Sequence, residues 1–146
     1  MAWSLAGVVA AAGAYLRGEL APVPVYDAGA VDEWRIPPSV SQLPSVLVYP
    51  GATQSNITRG GQTRTWELTV DILAGRADVG LDARAALVLA DAVVSALLGR
   101  ANLAPGAWWT SLDVSGLVPL DWGGITWVGV RVSAIIVEEQ TVEVQP

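Results

Sequence analysis

Between residues 65 and 72 the chain alternates without a fault. Trp66, Leu68, Val70 and Ile72 fall on one side, and Thr65, Glu67, Thr69 and Asp71 on the other. A period of two marks a strand with one face in a core and the other towards water or a neighbour. Half-exposed strands of that kind belong to antiparallel sheets. The pattern returns near the C-terminus, where Val128, Val130, Val132, Ala134 and Ile136 share one face and Arg131 and Ser133 the other. Val46 to Tyr49, held between Pro44 and Pro50, reads as a short buried strand. Trp108 to Val118 reads as another, broken near Gly116, and Gly123-Gly124 turns the chain into the last one. The tail from Glu139 alternates weakly and extends an edge.

Two stretches are helical. Residues 1–21 are expected to form an N-terminal helix, with Leu5, Val8, Val9, Ala12 and Leu16 at helical spacing and a stop before Pro22 and Pro24. No basic residue precedes this apolar run, unlike a secretory signal, and it is shorter than the roughly twenty residues of a membrane span. A second helix is expected over 82–98, capped by Asp78 or Asp82 and closed by Gly99 in a left-handed turn. Leu87, Ala90, Val94, Leu97 and Leu98 make one apolar face. Leu89, Ala92, Val93 and Ala96 cover much of the opposite side, and only Arg84, Asp91 and Ser95 form a polar stripe. A helix apolar nearly all round is buried on both sides. In a chain of 146 residues, which suits one domain, the second side is expected to meet another copy. The order of elements implies an α+β domain, a mainly antiparallel sheet with two helices on one face.

Residues 51–64 stand apart. Thr53, Gln54, Ser55, Asn56, Thr58, Arg59, Gly60, Gly61 and Gln62 bury little apolar area, so a long, mobile hairpin loop is expected. Arg59 and Arg64 flank its tip and are candidates for an arm that orders when a neighbouring ring or tube docks.

Composition limits function more than it defines it. Residues are 52% apolar and 15% charged, against roughly 25% charged in soluble domains, which suggests surface covered by other subunits. There is no cysteine or histidine, so disulfides, thiolate nucleophiles, cysteine zinc sites and histidine bases are excluded. All cations are arginines and the net charge is −6, a poor balance for gripping a phosphate backbone. No nucleophile elbow, P-loop or dinucleotide fingerprint is present, and no enzymatic activity, metal or cofactor is expected. Asp71, Asp91, Asp113 and Asp121 stand singly and read as solvated surface groups, as do the pairs Asp32-Glu33 and Glu138-Glu139.

Seven tryptophans supply large apolar area with a polar handle. Trp66 and Trp127 sit in strand patterns and read as core. Trp108 and Trp109 are adjacent on a strand and face opposite ways, so one of them is expected at an interface. With Leu89 and Val93 on the second helix, and Arg59 and Arg64, they are the candidate subunit contacts.

In their order, Leu47 to Gly51, the polar stretch, Trp66 to Leu73, the helix Leu87 to Leu98 and the late strand Trp127 to Val132 resemble the siphophage tail-terminator and minor tail proteins. The likeness covers most of the chain and is one of layout, since the family carries no catalytic motif. It implies a virion protein of the phage tail or neck, assembled in the host cytoplasm without membrane contact. Six copies would form a ring that ends the tail tube and joins it to the head. Its partners would be itself, the tail-tube protein and the head–tail connector. Sheets of adjacent subunits would surround a lumen that DNA crosses without sequence-specific binding, which an acidic balance suits. A connector (neck) or tail-tube subunit is the nearest alternative. A small-ligand binding domain is more distant and would need a pocket of converging polar groups.

Overall fold

The structure is a computed structural model that describes residues 5–28, 43–58, 61–76, 80–81, 83–100, 102–104 and 107–141. In chain order the elements are α1 (Leu5–Glu19), β1 (Val25–Asp27), β2 (Ser45–Thr58), β3 (Gly61–Arg76), β4 (Gly80–Leu81), α2 (Ala83–Leu98), β5 (Asn102–Ala104), β6 (Ala107–Trp122) and β7 (Ile125–Thr141). The strands form one sheet in the order β1-β2-β3-β7-β6-β5, with β4 paired to β3. All pairings are antiparallel except β1 with β2. The fold is α+β.

The alternation in β3 decides the layering. Trp66, Leu68, Val70 and Ile72 pack with Val46 and Val48 of β2, with Val130, Val132, Ala134 and Ile136 of β7, and under both helices. From α1 come Val8, Val9, Ala12 and Leu16, and from α2 Ala86, Leu89, Ala90, Val93, Ala96 and Leu97. Each large aliphatic side chain removed from water in this way contributes roughly 1.5–3 kcal/mol. The other face carries a smaller cluster of Leu47, Leu73, Leu120 and Trp127, flanked by Tyr26, Tyr49, Val118 and Trp122. Tyr15 ties the helices together by donating its hydroxyl hydrogen to the Ala96 carbonyl at 2.6 Å. Arg17 ties α1 to β1 through the Val25 carbonyl and the Asp27 carboxylate, both at 2.9 Å.

Three expectations are corrected. Within the expected 51–64 loop the described residues are strand: β2 continues to Thr58 and β3 begins at Gly61. Apolar alternation is absent there because the pairing is carried by backbone hydrogen bonds, with β7 running on to Thr141 as the third strand. The inward side of the second helix also differs from the expectation, taking Ala90 and Leu97 from one expected face and Leu89, Val93 and Ala96 from the other. Leu89 and Val93 lie inside the chain's own core, while Leu87, Val88 and Leu98 are exposed. A helix apolar all round gives a periodicity that cannot choose its inward side. Gly99 does not adopt a left-handed conformation; its amide continues the helix by donating to the Ser95 carbonyl.

The break at Gly116 is a bulge between Val114 and Leu117, where Gly116 takes φ 76°. The Ser115 hydroxyl stands in for a ladder carbonyl by accepting from the Arg131 amide at 2.9 Å. At Gly129 the constraint is close approach. A Cβ there would lie 1.8 Å from the Ile72 carbonyl oxygen, beside the bulge at Leu73 and Gly75. Gly129→Ala must therefore push two backbones apart, and we expect a loss of at least about 1–3 kcal/mol in urea unfolding. An unchanged midpoint would refute that contact.

Candidate assembly interface

The two sides of the sheet end differently from most natural edges. β1 covers β2 only at Val46–Val48, and β5 covers β6 only at Ala107 and Trp108. Among the described residues nothing pairs with the outer side of β2 from Gly51 to Thr58, or of β6 from Ser111 to Asp121. Edge strands present a row of unpaired amides and carbonyls, which natural proteins protect with charges, prolines, bulges or brevity. Gly51 to Thr58 contains no charge at all, and Ser111 to Asp121 contains only Asp113 and, at its end, Asp121. Pro50 precedes the open part of β2. Because the Val46 amide donates outward to the Pro24 carbonyl, position 50 also points outward, where a missing N–H costs the β2–β3 ladder nothing. On β6 the bulge and Pro119 are the modest protection.

Two of the exposed apolar side chains lie on one of these edge strands. Among the described residues the large ones are Leu87, Val88 and Leu98 of α2 and Val114 and Leu117 of β6, between 43 and 69% exposed. Val114 and Leu117 pair with Val132 and Val130, so they belong to the helix-bearing face. Neighbouring exposed apolar groups such as Val114 and Leu117 mark an interaction surface more strongly than the same groups scattered singly.

Two polar clusters fix the strands behind the edges. On the face without helices, Asp71 is fully buried and accepts from four groups. These are Arg131 Nε at 2.7 Å, Arg131 Nη2 at 3.1 Å, the Tyr49 hydroxyl at 2.7 Å and the Trp122 indole at 3.2 Å. Tyr49 and Trp122 meet edge to face, 5.0 Å between centroids. The cluster joins β2, β3, β7 and the end of β6. Burial, then the hydrogen bond to Asp71, push the Tyr49 phenol above the ordinary tyrosine range, and the bond to Asp71 holds Arg131 further towards its charged form against burial. On the helix-bearing face, Glu138 accepts from Arg64 Nε at 3.0 Å and from the Trp66 indole at 2.8 Å, with all three side chains buried.

These clusters change the standing of several residues. Arg64 is no part of an arm tip; it is paired inside the sheet, as Glu138 is. Asp71 is likewise not a surface acid. An acid can be buried when cations and donors surround it, and a list of single carboxylates does not reveal that. The opposite charges of Asp71 and Arg131, each at a polar position of an alternating strand, were the available signal. Asp91, Asp113 and Asp121 are exposed as expected. Trp66 and Trp127 are core, and Trp108 is half-buried beside Val137. Arg59, Asp32 and Glu33 lie outside the described residues, as does the side chain of Trp109. Among the described residues no group of three or more acidic side chains could hold a metal ion, and no helix is long and apolar enough to cross a membrane.

No protein-family model matches the chain, and no curated protein matches it. The edges and clusters therefore carry the functional argument.

Arg131→Met would leave the Asp71 carboxylate buried without its cation, and we expect a loss of about 3–5 kcal/mol by denaturant unfolding. Tyr49→Phe removes one hydrogen bond to a charged group, worth about 1.5–3 kcal/mol. The fold prefers the neutral phenol, since its pKa is raised on folding. That contribution is complete below the ordinary tyrosine pKa of about 10 and is lost as pH rises above it. Alkaline stability curves should therefore fall for the native chain and flatten for Tyr49→Phe; parallel curves would refute the assignment.

Proposed function

We propose that this chain is a structural virion protein whose copies join through their sheet edges into a ring, and that the ring terminates the tail tube of a long-tailed phage and joins it to the head. The observation that carries this reading is a pair of nearly uncharged edges on one sheet, left open among the described residues. A chain whose two different edges are complementary to each other associates head to tail, and such contacts close into rings when the rotation allows. The exposed apolar residues of α2 and β6 add surface that association would remove from water. The layout resemblance to tail terminators and minor tail proteins supplies the biological setting. The acidic balance suits a passage that DNA crosses without adhering. The protein acts by assembly in this reading, with no chemical step.

The purified chain should have the native mass of a closed multimer and appear as rings in negative stain. Added to growing tail tubes, the rings should cap tube ends and stop elongation. Rings that bind only head connectors would move the protein to the neck, and a monomer indifferent to both would end the proposal. Gln54→Lys combined with Val114→Lys places a charge on each edge. It should give a monomer whose melting differs little from the parent, since surface changes usually stay within about 0.5 kcal/mol.

A further inference from the structure

We infer that neighbouring copies pair β6 with β2 antiparallel, displaced along the strands by about eight residues, and that β1 is the stop that sets this displacement. The inference rests on the ring reading and specifies the contact it requires.

Direction comes first. β2 and β7 run one way, and β3 and β6 run the other. A following copy in the same orientation therefore brings its β2 against β6 antiparallel.

Displacement follows from the outline of the sheet, with β7 as a ruler. Through β3, the stretch of β2 covered by β1 lies level with Val130 to Val132, and the open stretch from Gly51 to Thr58 lies level with Ile135 to Thr141. On the other side β6 runs from Trp122, opposite Ile125, to Ala107, opposite Glu138, and β5 covers its last two positions. If two copies met without displacement, β1 of the newcomer would occupy the place of β6. A slide in one direction carries the open part of β2 off the end of β6. In the other direction, Val132 must pass Ile125, seven positions away, so a slide of about eight residues is the first that clears the strand. The parity is also right. An even slide keeps the helices of both copies on the same face, whereas seven or nine would turn them to opposite faces.

In this register Gln54 lies opposite Val118, Ser55 opposite Leu117, and position 57 opposite Val114, while Thr58 reaches Asp113 and stops short of β5. The open stretch of β2 is thus used along its length, and both exposed apolar residues of β6 gain neighbours. The slide amounts to roughly 27 Å along the strands. It tilts them against the ring axis, as closure of a sheet requires.

The chain has no cysteine, so engineered pairs report cleanly. Residues directly opposite in an antiparallel pair bring their Cβ atoms within about 4.5–5.5 Å, close to disulfide range. The double variant Ser55→Cys with Leu117→Cys is mildly oxidised and run without reductant, beside Ser55→Cys with Leu112→Cys, which matches a slide of four. The first should give a ladder of covalent multimers that collapses with reductant, and the second should not. A ladder only in the second would overturn the displacement and leave edge pairing standing. No ladder in either, with a multimeric native mass, would overturn the β6–β2 contact but not the ring. A monomeric native mass would overturn both.

Discussion

The pairing of β3 with β7 is the constraint on which the rest of the structure depends. It runs from Gly61 against Thr141 to Arg76 against Trp127, interrupted only by the bulge at Leu73 and Gly75. One face of this ladder supplies the floor on which α2 lies, with α1 beside it over β1 and β2. Two of the three buried acids among the described residues are also ladder residues: Asp71 stands opposite Arg131 and Glu138 opposite Arg64. Breaking a buried ionic pair leaves a bare charge in a low-dielectric place, so a slipped register would be punished twice, once on each face. A slip by one residue would also turn every apolar side chain of a strand to the wrong side. Register is thereby over-determined at the centre, which leaves the flanking strands freer.

That freedom explains the contrast between middle and edges. The middle strands bury Arg64, Asp71 and Glu138 in pairs, while β2 carries no charge and β6 only Asp113 and Asp121. A protein protecting itself from its own kind would load its edge strands with charge. The sparse charge of the two edges is consistent with association.

Much of the layering was legible because it follows apolar periodicity. The alternation at Trp66 to Ile72 and at Val128 to Ile136 identified the inner face of both central strands, and the placement of Trp66 and Trp127 in the core followed from it. What periodicity could not show was structure made by backbone alone. From Gly51 to Ser55 the residues are small or polar and exposed, yet the chain is strand through to Thr58, because β3 already has β7 on its other side. Nor could composition choose the inward side of α2, where Leu89 and Val93 were expected to meet a partner and instead meet the sheet. The polar clusters were hidden for a third reason. Each joins residues more than twenty positions apart, and only the pairing of strands brings Tyr49, Asp71 and Arg131 together.

The outer end of the β2–β3 hairpin has a mechanical consequence. It extends past the start of β6, flanked by β7, and the buried Arg64–Glu138 contact clamps its root. A swinging arm would absorb a push at its tip by bending. A three-strand beam with an ionic rivet at its base passes the push on as a tilt of the whole sheet and of the helices resting on it. Whatever touches that end is felt across the molecule.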